Sequence, residues 1–165
     1  MIRLAKLTDY AIVVLAQMAR RTGSGQASAR ILAQEVGLAV PTVSKVLKIL
    51  AKGQVLVAQR GKGGGYRLAR PAGDISVADI VEAMEGPLAL TDCSTDETNC
   101  CCISESCQVK TNWLNINRAV RAALAALTLE AMAKPLPNPF TPNLALAASG
   151  HEGNSAFVTI GGVNS

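Results

Sequence analysis

Residues 28–69 read SARILAQEVGLAVPTVSKVLKILAKGQVLVAQRGKGGGYRLA, and their punctuation marks out two short helices, a tight turn between them and a hairpin. Ser28 is a good N-cap for a helix reaching Val36, and Gly37 stops that helix and turns the chain. Pro41, tolerated in a first turn, opens a second helix that runs to Gly53. Along it Val43, Val46, Leu47 and Leu50 recur at helical spacing and would bury, while Thr42, Ser44, Lys45, Lys48 and Lys52 stay outside. Helix, short turn, helix is the arrangement that sets a reading helix in the DNA major groove, although an ordinary three-helix core with solvated lysines shows the same split. The next residues favour the first reading. Val55 to Arg60 alternates weakly as a strand, residues 61–65 (GKGGG) make a hairpin turn, and Tyr66 to Ala69 returns as a second strand. Such a hairpin reads as a wing, with Arg60, Lys62, Gly63, Gly64 and Arg67 where phosphates or the minor groove would be met. A nucleotide-binding loop would need GxGxxG or GxxxxGK[ST] between a strand and a helix, and neither pattern occurs.

The charge is divided in the same sense. Residues 1–70 hold twelve of the sixteen Lys and Arg and only two acids, Asp9 and Glu35, a net of +10; the remainder of the 165 residues carries four cations and ten acids, a net of −6. A segment this basic suits a polyanion, because each neutralised phosphate releases a counterion. A membrane surface would require the charge on one amphipathic helix with bulky apolar anchors, whereas here it is spread over several elements. No run of eighteen apolar residues exists, so the chain is expected to be soluble and, with reduced cysteines, cytoplasmic.

Outside this block, a helix is expected from about Thr8 to Arg20, with Tyr10, Val13, Val14, Ala16, Gln17 and Met18 on its buried side. Ser76, with Asp79 three residues on, should cap another helix that Gly86 and Pro87 end. From Gln108 to Leu127, Trp113, Ile116, Val120, Ala123 and Leu127 step by three and four, the seam of a helix pair. At 1.5 Å per residue that helix would be roughly 30 Å long, too long to cover its stripe against so small a domain, and a homodimer follows. Thr128 caps a short helix through Met132, and residues 134–165, rich in Pro, Gly, Asn and Ser, read as a disordered tail.

All five cysteines lie between Cys93 and Cys107, in CSTDETNCCCISESC, a hydrophilic stretch without hydrophobic period. Thiols in such a loop need a holder other than a core. Disulfides belong mainly to secreted chains, and nothing here resembles a signal peptide; structural zinc would favour C-x2-C knuckles or nearby histidines, and the lone His151 lies far away in the tail. Soft thiolates suit an iron-sulfur cluster, held by three cysteines and one ligand from elsewhere.

Several stretches together resemble a known family: RLAKLTDYAIVVL (3–15), VPTVSKVLKIL (40–50), RGKGGGYRLARP (60–71), ISVADIVEAMEGPLALTDC (75–93), NWLNINRAVRAAL (112–124) and TLEAM (128–132). They look like the winged-helix iron-sulfur transcriptional regulators, IscR-like and NsrR-like, and within them the proteobacterial regulators of the SUF assembly system. The likeness covers about residues 2–133. It implies a homodimeric repressor of iron-sulfur assembly genes that binds double-stranded promoter DNA at an operator. A nitric-oxide-responsive repressor is the alternative within the family, and an iron-sulfur redox or electron-transfer protein the alternative outside it; no enzyme activity is expected. Carried over residue by residue, the ligand roles fall to Cys93, Cys101 and Cys107, the last two in the family's C-x5-C spacing. The first interval is longer than the usual one, and three adjacent thiols leave Cys100 or Cys102 as alternative middle ligands. IscR-like members use a histidine three residues after the last cysteine, where this chain has Lys110; NsrR-like members use an N-terminal aspartate of the other subunit, which Asp9 matches. Asp9 could instead serve as a carboxylate at the start of its helix. Cluster type, [2Fe-2S] or [4Fe-4S], stays open.

The expected architecture is thus mainly α with a small β-hairpin wing. A winged helix-turn-helix domain (1–87) is followed by a cysteine-rich cluster loop (88–107), a dimerisation helix with a short terminal helix (108–133), and the tail. Pro41, Thr42, Ser44 and Lys45 in the first turn of the reading helix should reach base edges, with Lys48 and residues 60–67 on the backbone or minor groove.

Overall fold

The first helix, α1 (Lys6–Arg20), is the post around which the others pack: Ala11, Val14, Leu15, Ala16 and Met18 are buried along it. The structure is a computed structural model and describes residues 3–21, 26–61, 63–91 and 107–134. Two details of α1 differ from expectation. It begins at Lys6 rather than Thr8, and Val13 is 42% exposed while Ala11 and Leu15 take the inner positions. The run Ala11-Ile12-Val13-Val14-Leu15 is apolar on every side, so periodicity alone could not choose its inner face.

Next come α2 (Ala29–Val36) and α3 (Val40–Lys52). Ser28 Oγ accepts the Ile31 N–H at 3.3 Å, and Gly37, in the left-handed region at φ 68°, caps the other end of α2 by donating its N–H to the Ala33 carbonyl. In α3 the four expected positions, Val43, Val46, Leu47 and Leu50, are fully buried. Strands β1 (Leu56–Gln59) and β2 (Gly65–Leu68) pair antiparallel in the register Leu56–Leu68, Val57–Arg67, Ala58–Tyr66 and Gln59–Gly65. A bridge from Ala27, exchanging two backbone hydrogen bonds with Tyr66 at 2.9 and 3.0 Å, ties this hairpin to the residues just before α2.

After a short 3-10 turn (Ala72–Asp74), α4 (Val77–Glu85) starts with the expected capping box. Asp79 N–H donates to Ser76 Oγ at 3.1 Å, and Ser76 N–H donates to the Asp79 carboxylate at 3.0 Å. Helix α5 spans Lys110–Ala125, sixteen residues and so about 24 Å, shorter than the expected 108–127. Helix α6 (Leu129–Ala133), capped by Thr128, folds back onto α1: Leu129 is fully buried in the common core, and Arg20 Nε donates to the Ala133 carbonyl at 3.0 Å. Two backbone hydrogen bonds, Val77 N–H to Leu127 O and Leu129 N–H to Ile75 O, hold the ends of α4 and α6 side by side at 2.8 and 2.7 Å. No helix among the described residues is long and apolar enough to cross a membrane.

Candidate functional site

The candidate nucleic-acid face comprises the outer side of α3 and the hairpin. Because Val43, Val46, Leu47 and Leu50 fill the core, the helical period turns Pro41, Lys45 and Lys48 outward, with Thr42 and Ser44 half-buried at the margin. Arg60 and Arg67 are exposed on the hairpin, whose tip contains Gly63 at φ 87°, a conformation that a residue with a Cβ rarely adopts. Gly64 adjoins it, its N–H closing the turn onto the Gly61 carbonyl at 2.9 Å. Lys62 lies outside the described residues.

These outward cations are not neutralised by the described acids of the chain. Among the described residues Lys45, Lys48, Arg60 and Arg67 take part in no ion pair, whereas Arg21 is paired with Glu35, and Arg70 with Asp79 at 3.3 Å. Hydrogen bonds from Arg21 and Gln17 hold the Glu35 carboxyl below the usual carboxylate range. Burial pushes the Asp79 carboxyl up, but hydrogen bonds from Ser76 and the Arg70 guanidinium outweigh it and leave that group lowered as well. Glu35 and Asp79 are thus held by Arg21 and Arg70, and Lys45, Lys48, Arg60 and Arg67 keep their charges free of ion pairs among the described residues.

The second candidate centre is the cysteine loop. Cys93, Cys100, Cys101 and Cys102 lie outside the described residues, as do His151 and residues 135–165. Cys107 is described: a half-buried free thiol whose carbonyl accepts the Lys110 N–H at 3.3 Å, at the turn that starts α5. Both ends of the loop meet α5. Asn117 Nδ2 donates to the Leu88 carbonyl at 2.8 Å, and Asn117 Oδ1 accepts the Leu90 N–H at 3.2 Å, which fixes the entry. This clasp spans 27 residues and had no signal in local sequence.

Asp9 is exposed in the first turn of α1. Its carboxylate has no hydrogen-bond or ion-pair partner among the described residues, and the N-cap position, Ala5, receives no cap from a side chain of its own. The role of local cap is instead supplied from a distance: a carboxylate oxygen of Glu85 accepts the Ala5 N–H at 2.8 Å and the Thr8 hydroxyl at 2.6 Å. Neither Glu85 nor Thr8 stands out in the sequence. Among the described residues no group of three or more His, Cys, Asp or Glu is assembled for a metal. The donors that are described, a free thiol and an unpaired carboxylate, have the chemistry that an iron-sulfur centre with three thiolates and one oxygen ligand needs.

On α5 the expected stripe is exposed except at Val120. Trp113, Ile116 and, just past the helix, Leu127 are 39, 45 and 48% exposed, while Val120 of the same stripe is half-buried, as are Leu114, Asn117 and Leu124 beside it, and Arg121 grips Glu82 of α4 at 2.6 Å.

Comparison with known proteins agrees with this layout. Residues 4–135 match the Rrf2 family model, described as iron-dependent transcriptional regulator. The chain is 32% identical over 134 residues to the HTH-type transcriptional regulator NsrR of Oceanobacillus iheyensis, covering 79% of this chain and 89% of that one. With protein rrf2 of Nitratidesulfovibrio vulgaris it shares 31% identity over 128 residues, 77% of this chain and 84% of the relative. Among solved structures it superposes on CymR, the global cysteine regulator of B. subtilis, with a TM-score of 0.61 at 25% identity over 81% of this chain and 97% of that one. IscR of T. potens gives a TM-score of 0.56 at 24% identity, over 79% and 85% of the two chains, a likeness of fold.

Proposed function

This chain belongs to the Rrf2 family of transcriptional regulators, and from that premise we propose that it is a cytoplasmic homodimeric repressor of iron-sulfur assembly genes that senses through a bound cluster. Its family consists of DNA-binding regulators and not of enzymes. The observation that carries the finer reading is the concentration of all five cysteines in residues 93–107, entered from an Asn117-clasped segment and left through the free thiol of Cys107. Cys93, Cys101 and Cys107 would hold the cluster from one subunit, with Cys100 or Cys102 as alternative middle ligand, and Asp9 of the partner subunit would supply the fourth donor. When bound, the cluster supplies a redox- and supply-sensitive joint between subunits.

The residues of the chain do the rest. Pro41, Thr42, Ser44 and Lys45 face base edges at the start of α3, and Lys48, Arg60, Lys62, Arg67 and the glycine tip at Gly63 and Gly64 approach backbone. Two such heads reading a two-fold operator require a dimer, and the outward stripe of α5 is the surface with the right period to make one. A nitric-oxide-responsive repressor is the second reading, favoured by the 32% identity to NsrR. Anaerobic purification with iron, sulfide and visible-spectrum analysis, followed by footprinting on candidate promoters with and without the cluster, tests both. Protection of an assembly-operon promoter that depends on cluster state supports the first. Protection confined to nitric-oxide-detoxification promoters and relieved by nitric oxide supports the second. A colourless protein with no iron under these conditions overturns the cluster reading.

A further inference from the structure

Thr8 is the one polar residue buried among the described residues, 1% exposed, and its hydroxyl is satisfied by Glu85, 77 positions away. The same carboxylate oxygen takes the Ala5 N–H, so an acid at the last residue of α4 closes the uncapped N-terminus of α1. Charge-assisted hydrogen bonds of this kind are short and directional, and they fix two elements in register.

The residues around Glu85 reach the other parts of the molecule. Glu82 holds Arg121 of α5 through two contacts, at 2.6 and 3.2 Å. Ala83 lies so close to Gly53, the residue that ends α3, that a Cβ at Gly53 would come within 2.5 Å of the Ala83 Cβ. The last turn of α4 therefore touches the dimerisation helix, the end of the reading helix and the start of α1, and the chain then passes through Gly86 toward the cysteines. A cavity of about 440 Å³, lined by Arg3, Leu4, Glu85 and Leu88 among others, opens beside the junction.

We propose that Glu85 is a positioning residue: it pins the first turn of α1, and with it Asp9, to α4, so that the state of the ligand set reaches the reading helix through the contact of Ala83 with Gly53. This rests on the cluster-sensing reading above. Asp9 adjoins Thr8 in sequence, so a pull on the Asp9 carboxylate is a pull on the Thr8–Glu85 hydrogen bond. With the pin intact, that displacement is passed to α4; without it, α1 can move alone.

The test uses the full chain, with and without its cluster, as wild type, Glu85→Ala, Thr8→Val and Glu85→Gln. Three quantities are measured for each: iron and sulfide per subunit, thermal midpoint of the apo protein, and the ratio of promoter affinities between loaded and apo forms. Allosteric ratios are typically about 5- to 150-fold. The expected result is full iron and sulfide in every variant, a ratio near one in Glu85→Ala and Thr8→Val, and a ratio close to wild type in Glu85→Gln, which keeps an acceptor oxygen. A purely structural Glu85 would lower the midpoint and leave the ratio at its wild-type value, and that outcome overturns the proposal. Should Glu85→Ala fail to fold, Thr8→Val decides alone, an unchanged ratio again counting against the pin. A wild type that binds no cluster, or whose affinity ignores it, overturns the functional reading and the pin together, whereas a coupled wild type with an equally coupled Thr8→Val overturns only the pin.

Discussion

At the scale of single residues, two cations on the reading face carry opposite expectations. Lys45 is exposed in the first turns of α3, where side chains reach base edges, so Lys45→Ala should flatten the preference among operator variants. Lys62, which follows Gly61 in the sequence, should meet phosphate only; Lys62→Ala should weaken all sequences alike and reduce the salt slope by about 1. Affinities measured on matched and mismatched promoters at several salt concentrations separate the two, and wild-type behaviour in both variants would remove α3 and the hairpin from the interface. Asp79 has a structural role with its own signature. Its carboxyl is lowered in the folded chain, so the stability it contributes is present above the ordinary aspartate value of about 3.9 and is lost as pH falls through the lower folded value. The midpoint difference between apo wild type and Asp79→Asn should therefore be constant from neutral pH down to about 4 and shrink below it. Ser76→Ala removes the other half of the box and should cost about 0.5 to 2 kcal/mol.

Among the elements, those with a clear capping residue were legible in sequence. Ser28 with Gly37, Ser76 with Asp79, and Thr128 each cap the helix expected of them, and the glycine tip joins two strands in the expected places. Helix α1 was less so: its start is set by Glu85 through space, and its all-round apolar run hid Ala11 and Leu15 behind Val13. The Asn117 clasp and the return of α6 to α1 are likewise long-range, and local pattern cannot encode them. Within residues 93–107 the cysteines are the basis for expecting a cluster, but three consecutive thiols have no period that singles one out. Cys93→Ser, Cys101→Ser or Cys107→Ser should abolish iron and sulfide binding, and Cys100→Ser or Cys102→Ser should leave it largely intact; full content in Cys101→Ser would move the middle ligand to a neighbour. The outward stripe of α5 was legible because its step of three and four survives folding as an exposed face containing Trp113 and Ile116. Ile116→Asp, which would bury a charge in that seam, should shift the protein to monomer in sedimentation at micromolar concentration. A variant that remains dimeric would place the interface elsewhere.

For the whole molecule, a signal at the cysteines of residues 93–107 has to reach α3, which ends at Lys52 before Gly53. Asp9 is the residue on which that step turns. A carboxylate in the first turn of a helix is ordinarily explained by the helix dipole, yet at the N-cap of α1 the capping oxygen belongs to Glu85, and Asp9 is exposed without a partner among the described residues. A free carboxylate within residues 1–70, where only Asp9 and Glu35 are acidic and Glu35 is held by Arg21, is well suited to bridge to the cluster of the other subunit. If Asp9 is that bridge, Asp9→Ala changes the donor set itself. It should shift the visible spectrum of the loaded protein and bring the loaded-to-apo affinity ratio, about 5- to 150-fold for a typical coupling, toward one. This separates Asp9 from Glu85, whose loss is expected to move the ratio and leave the spectrum alone. If Asp9 acts only through the dipole, its replacement should lower apo stability by about 0.3 to 1 kcal/mol and alter neither spectrum nor ratio. Absorbance and footprinting on one preparation of Asp9→Ala distinguish these outcomes, and an unchanged spectrum with an unchanged ratio would take Asp9 out of the site and leave the fourth ligand to another residue of the chain.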